Sequence, residues 1–252
     1  MTKAGEIRAI LDWHVALGSD ETIEEYPIDN FAPPELIVAS EPRSPAAPLP
    51  SNKSSVRTAS ELAATIETID DLQIAIANFD GCSLKNTSTN TVIADGNPDG
   101  CVLFIGEAPG AEEDRLGKPF VGPSGLLLDR MLASIGLDRS HVLISNIVFW
   151  RPPGNRTPTT AETATCLPFV HRMIELMMPE IVVPLGGPAA KSLLQETAGI
   201  GKLRGRWFTL ATANLSAPVA ATPLFHPAYL LRTPAQKRAT WRDLLMIRQR
   251  LE

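Results

Sequence analysis

From residue 100 onward, short runs of consecutive apolar residues alternate with stretches whose apolar positions recur every three to four residues. Cys101–Gly106, Val142–Val148, Ile181–Leu185 and Val219–Leu224 are the short runs, and they predict strands. Helical spacing predicts helices near 123–135, 160–178, 187–196 and 234–250. Thr159-Thr160-Ala161-Glu162 fits a capping box ahead of an apolar stripe at Cys166, Phe169, Val170, Met173, Ile174 and Met177. Thr233 before Pro234 fits a cap with proline at the first helical position. The alternation predicts an α/β domain with a parallel sheet covered by helices on both faces, and in such a sheet ligands bind where the carboxyl ends of the strands meet diverging loops.

The front of the chain is patterned differently. Ile7, Ile10, Leu11, Val15 and Leu17 predict a short amphipathic helix over 6–17, whereas 27–57 is rich in Pro, Ala and Ser and reads as a linker. Helical periodicity resumes over 59–78 through Leu62, Ile66, Ile69, Leu72 and Ile76. The expected division is an N-terminal helix and linker over 1–57 and the main domain over 58–252.

Charge sharpens that division. The net charge of −5 hides a split: residues 1–80 hold 5 Lys/Arg against 14 Asp/Glu, and residues 81–252 hold 18 against 14. Acidity therefore belongs to the front segment, and the remainder is free to face an anionic partner. Arg232, Lys237, Arg238, Arg242, Arg248 and Arg250 form a basic run near the end, readable as a phosphate-facing patch or as one solvated helix face. Cys82, Cys101 and Cys166 are far apart and odd in number, which argues against a disulfide framework and a closed four-thiolate site. No apolar run is long enough for a membrane span and the start of the chain lacks a signal-peptide pattern, so a cytoplasmic location is expected.

Polar residues beside rigid backbone stand at three strand ends. The first run ends in Gly106-Glu107-Ala108-Pro109-Gly110, with Gly117-Lys118-Pro119-Phe120-Val121-Gly122-Pro123-Ser124-Gly125 following. The second ends in Asn146 and continues through Arg151-Pro152-Pro153-Gly154-Asn155-Arg156; the fourth ends in His226-Pro227-Ala228-Tyr229-Leu230-Leu231-Arg232. In this order, GEAPG, GKPFVGPSG, SNIVFWRPPGNRTP and FHPAYLLRTP resemble the motif set of family 4 uracil-DNA glycosylases, over roughly residues 79–250.

The resemblance implies a three-layer α/β/α sandwich around a four-stranded parallel sheet, uracil-containing DNA as partner, and excision of uracil after base flipping. It implies Asn146 and His226 as catalytic residues, with His226 donating to the uracil oxyanion; it leaves the general base open, and Glu107 is chosen for that role because a carboxylate can both hold the water and stabilise the cationic sugar. Asn146 would read the base, Phe120 would stack on it, and Gly106, Ala108 and Gly110 would line the pocket. Pro153, Gly154, Asn155 and Arg156 resemble the loop that pinches the DNA backbone, and Leu230, Leu231 and Arg232 the loop that enters the minor groove. Plainer readings exist: Asn146 as a loop cap, Phe120 as core, and both leucines as helix-staple residues. Glu113 and Asp114 are weaker candidates for the base, readable as the first turn of a solvated loop.

The chain also departs from the resemblance. An Asp follows the equivalent of Glu107 in the best-known branch, but Ala108 stands here, and Gly110 replaces the tyrosine that excludes thymine there. Family 4 enzymes hold a [4Fe–4S] cluster on four cysteines; Cys82 and Cys166 match two of them, while Phe79 and Trp150 occupy the other places. No cofactor and no metal site are therefore expected. The basic insertion of a covalently trapping branch is missing after the second strand, which points to turnover. The expected assembly is a monomer with a possible repair-protein partner for the acidic front segment, and the competing reading is an inert DNA- or protein-binding module on the same fold.

Overall fold

A computed structural model describes residues 52–252; the expected 6–17 helix and most of the linker lie outside the described residues. The main domain opens with helices α1 (Asn52–Ala64) and α2 (Ile69–Asn78) and a 3-10 turn over Ser83–Thr87. Then follow β1 (Ala94–Gly96), β2 (Val102–Gly106), α3 (Ala111–Leu116), α4 (Pro123–Ala133), β3 (Val142–Asn146), α5 (Thr160–Met177) and β4 (Ile181–Pro184). The chain ends with α6 (Gly187–Leu194), α7 (Ile200–Leu203), β5 (Phe208–Leu210), β6 (Val219–Ala221), α8 (Pro227–Arg232) and α9 (Lys237–Leu251).

The expected four parallel strands are present as β3-β2-β4-β6, the centre of a six-stranded sheet of order β1-β3-β2-β4-β6-β5. β1 and β5 add antiparallel edges. Each is three residues long, too short to leave a periodic signal in the sequence. The central strands are apolar at nearly every position because both faces are covered. Leu103, Ile105, Leu143 and Val182 pack with α1, α2, α5 and α6, while Val102, Phe104, Ile144 and Val183 pack with α4, α8 and α9. Successive residues of one strand thus enter opposite cores, as a period of two requires.

Local chemistry explains the element boundaries. The run over 59–78 is two helices, broken where the Thr68 hydroxyl caps α2 by accepting the Asp71 amide at 3.1 Å. The expected boundary between residues 57 and 58 falls inside α1, whose Ala59 and Ala63 are buried in the first core. The capping box of α5 is present: the Thr159 hydroxyl accepts the Glu162 amide and Glu162 accepts the Thr159 amide. Thr233, by contrast, makes no side-chain cap; Pro234 begins a 3-10 turn that leads into α9. Among the described residues no helix is long and apolar enough to cross a membrane.

Candidate active site

Register brings the chemistry together. β2 and β3 run parallel with Gly106 opposite Asn146, so the Glu107 turn begins beside the Asn146 side chain. A bridge between Leu185 and Leu224 prolongs β4 and β6, and a Cβ built on Gly186 would stand 3.1 Å from the Cβ of His226. Residues at three strand ends, distant in sequence, therefore share one cleft of about 970 Å³, lined among others by Glu107, Phe120, Asn146, Asn155, His226 and Arg232.

Asn146 is 1% exposed, and among the described residues neither its amide oxygen nor its amide nitrogen has a hydrogen-bond partner. Leaving such a group unsatisfied costs about 1–3 kcal/mol, so the folded chain carries an uncompensated donor and acceptor on the cleft wall. Gly106 makes room for it: a Cβ there would lie 2.4 Å from Asn146 Oδ1 and 2.8 Å from two ring carbons of Phe120. Phe120 is held at φ +53°, a left-handed backbone that bulky residues avoid at a cost of order 1–3 kcal/mol. Its ring is 4% exposed and stacks against the His226 imidazole with centroids 5.5 Å apart.

His226 is the N-cap of α8, and its Nδ1 accepts the Ala228 amide at 3.1 Å. A backbone N–H can only donate, so Nδ1 is unprotonated and the ring hydrogen resides on Nε2. Burial, helped by the nearby positive charge of Arg232, pushes the His226 pKa down to about 4. The imidazole is thus a neutral Nε2–H donor at neutral pH. Glu107 is half-buried, and loss of hydration raises its pKa while the Thr157 hydroxyl pulls it down. A carboxylate with raised basicity at the mouth of a cleft suits proton acceptance.

Glu113 and Asp114 are buried ties rather than a solvated turn. Glu113 accepts the amides of Gly110, Val121 and Gly122 at 3.1, 3.0 and 2.9 Å, joining the GEAPG turn to the loop that carries Phe120. Asp114 accepts the amides of Thr89 and Asn90. Neither carboxylate is free to activate water, and the Gly110 amide is committed to Glu113.

A family profile described as "Uracil DNA glycosylase superfamily" matches residues 93–245. The chain belongs to this superfamily. It is 36% identical to the type-4 uracil-DNA glycosylase of Pyrobaculum aerophilum, over 71% of this chain and 92% of that protein. Identity to the type-4 enzyme of Thermotoga maritima is 41%, over 60% of this chain and 77% of that protein, and to that of Archaeoglobus fulgidus 38%, over 67% and 86%.

On this glycosylase fold the expected DNA-contacting residues divide. Pro153, Gly154 and Asn155 form an exposed 3-10 turn in which Gly154 and Asn155 both have positive φ, and Asn155 Oδ1 accepts Arg151 Nε at 2.7 Å. Arg156 is half exposed but makes a two-pronged ion pair with Glu162 at 2.9 and 2.7 Å, so its guanidinium is already engaged. Leu231 is 43% exposed and Arg232 is exposed, as a groove-entering loop requires. Leu230 is 1% exposed and packs in the second core; it anchors α8 and is not a wedge. The helical turn from His226 separates them, because adjacent residues of a helix point about 100° apart, so when Leu230 enters the core Leu231 faces away from it.

The places of the family's cluster cysteines lie in the first core. Cys82 and Cys166 are buried with Phe79, Phe149, Trp150 and Phe169. Phe79 stacks edge-on to Phe169 at 5.0 Å, Phe149 lies edge-on to Trp150 at 6.0 Å, and Trp150 Nε1 donates to Thr91 Oγ1 at 3.1 Å. The two thiols hydrogen-bond each other, which lowers the Cys82 pKa and raises that of Cys166. Two thiols walled in by aromatic rings do not fit a group that needs four thiolates. Sequence reasoning missed Arg139, which stands outside every motif, and gave no separate role to Gly125, the last residue of GKPFVGPSG, although both lie against the Phe120 carbonyl.

Proposed function

We propose that this chain is a monofunctional uracil-DNA glycosylase, hydrolysing the N-glycosidic bond of a flipped deoxyuridine to leave an abasic site. The reading rests on the buried, unpartnered Asn146 amide facing the cleft beside Phe120 and His226. Uracil offers an N3–H donor beside the O4 acceptor, the complement of one amide, whereas cytosine presents the reverse pattern along the same edge. Phe120 stacks on the base. Water, held by Glu107, attacks C1′ from the face opposite the base; the C1′–N1 bond breaks and its electron pair passes into the uracil ring. The His226 Nε2–H stabilises the negative charge that collects at O2, and Glu107 takes the water's proton. Leu231 fills the space left in the stack, and Arg232 with the Pro153–Asn155 turn meets phosphates.

The same reading includes a catalytic unit without an iron–sulfur cluster, supported by the aromatic packing around Cys82 and Cys166. Protein purified under anaerobic conditions is expected to be colourless, and stoichiometric iron with broad absorption at the edge of the visible would overturn that part. The whole reading is tested by incubating the chain with matched oligonucleotides containing U, T or C at one position. Alkali-labile breaks are expected with U alone; binding without breaks would instead indicate an inert DNA-binding module.

A further inference from the structure

Phe120 holds a left-handed backbone conformation that its own sequence disfavours, so the surrounding residues must impose it. Two features do so. Gly125, in the first turn of α4, leaves the space into which the Phe120 carbonyl points: a Cβ there would meet that oxygen at 1.8 Å and its carbon at 2.1 Å. Arg139, in the loop between α4 and β3, donates to the same carbonyl through Nη2 at 2.5 Å and to the Pro119 carbonyl through Nη1 at 3.2 Å. Its guanidinium is itself aimed by two carboxylates: Asp129 of α4 accepts Nε at 2.9 Å, and Asp95 of β1 accepts Nη1 at 2.5 Å. Lys118 also pairs with Asp95, at 3.4 Å, so two cations and two carboxylates neutralise one another around a single backbone kink.

We propose that Arg139 is a positioning residue for uracil excision, holding the backbone of Phe120 so that its ring stays stacked beside His226 at the base pocket. Arg139 touches neither the cleft nor any group placed there except through Phe120. A planar guanidinium can serve four acceptors in fixed directions at once; a lysine ammonium cannot hold the same fork. Without it, Phe120 relaxes toward ordinary backbone angles and its ring leaves the imidazole.

The inference rests on the glycosylase reading for its kinetic effect but not for its conformational one, and the test keeps the two apart. In Arg139→Gln, NMR of the His226 imidazole protons should show loss of the Phe120 ring-current shift, reproducing the spectrum of Phe120→Ala. Lys118→Ala, which removes only an exposed partner of Asp95, should leave those resonances unchanged. With uracil-containing DNA, Arg139→Gln should lose about 10–100-fold in kcat/KM, mostly through KM, as expected when a stacking group is misplaced. Arg139→Lys should recover only part of this. Combining Arg139→Gln with Phe120→Ala should add little to Phe120→Ala alone. Unchanged His226 resonances in a folded Arg139→Gln protein, or fully additive kinetic losses, would overturn the proposal; absence of uracil release by the native chain would overturn the glycosylase reading and leave the NMR arm standing.

Discussion

Two buried regions of this molecule treat hydrogen-bonding capacity in opposite ways. Around Cys82 and Cys166 no buried side-chain nitrogen or oxygen of the described residues lacks a partner: Trp150 donates to Thr91, the two thiols are neighbours, and aromatic rings pack around them. At the strand ends, the Asn146 amide is equally buried yet unpaired, Phe120 is strained, and His226 is kept neutral with one nitrogen hydrogen uncommitted to the fold. The first pattern is that of a completed core, and the second that of a site prepared for a ligand, because the Asn146 amide combines two unpartnered atoms with a place on the cleft wall, whereas the other unpartnered atom among the described residues, Thr222 Oγ1, lies outside the cleft lining. On the proposed reading the first region packs as core and the second receives the base.

The largest effect that would sharpen this contrast is on stability. Trp150→Ala should destabilise the fold by about 3–5 kcal/mol, the usual cost of removing a fully buried large aromatic, with a matching fall in denaturant midpoint. Little loss would mean that the region is loosely packed and has room for a group.

Next in size, His226→Ala should slow single-turnover excision roughly 10²–10³-fold, about 2.7–4 kcal/mol, while affinity for uracil-DNA stays near native. The variant removes a donor that acts on developing charge. An unaltered cleavage rate would remove His226 from the chemistry.

Asn146→Leu tests the contrast most directly. Replacing an unsatisfied buried amide by an apolar group of similar shape should stabilise the fold by about 1–3 kcal/mol, while weakening binding to uracil-DNA and abolishing excision. The same change in a completed core destabilises. A lower melting temperature for Asn146→Leu would show that the amide is satisfied in solution.

The smallest effect is on pH dependence. Glu107 must be ionised to take a proton, and burial raises its pKa above the usual carboxylate value, so single-turnover rates should fall about tenfold per pH unit once acidification passes that value. Near pH 4 the fall should steepen, since His226 there gains a proton and its bond to the Ala228 amide is lost. Glu107→Gln should remove the upper part of this limb, and a profile unchanged by that substitution would assign the base elsewhere. The stability sign follows from the same values. The folded pKa of His226 lies below that of the unfolded chain, so its contribution to stability is present above the unfolded value and is lost as pH falls from about 6.5 toward 4.

Much of the architecture is legible in the chain. Four apolar runs, the α5 capping box and the motifs ending each run are local patterns, and local patterns are what periodicity and capping chemistry report. The aromatic residues at Phe79 and Trp150 are equally visible, because a side chain that cannot ligate iron is identified by its type alone. Expectations failed where a role depended on direction. Leu230 and Leu231 are indistinguishable as sequence, yet one is core and the other exposed; Glu113 and Asp114 resemble a solvated acidic turn and prove to be buried acceptors of backbone amides.

What the chain determines by itself is therefore an inventory: strands, helices, their end-chemistry and the residue types available for reaction. Tertiary structure decides which of these meet. The sheet order β3-β2-β4-β6 is not the order in sequence, and that order sets Asn146, Glu107 and His226 around one cleft. It also decides that Arg139, outside every motif, reaches back to the Phe120 carbonyl. The physical reason is that contacts between distant segments follow from how both faces of a sheet are buried at once, a constraint on the whole chain that no local window contains.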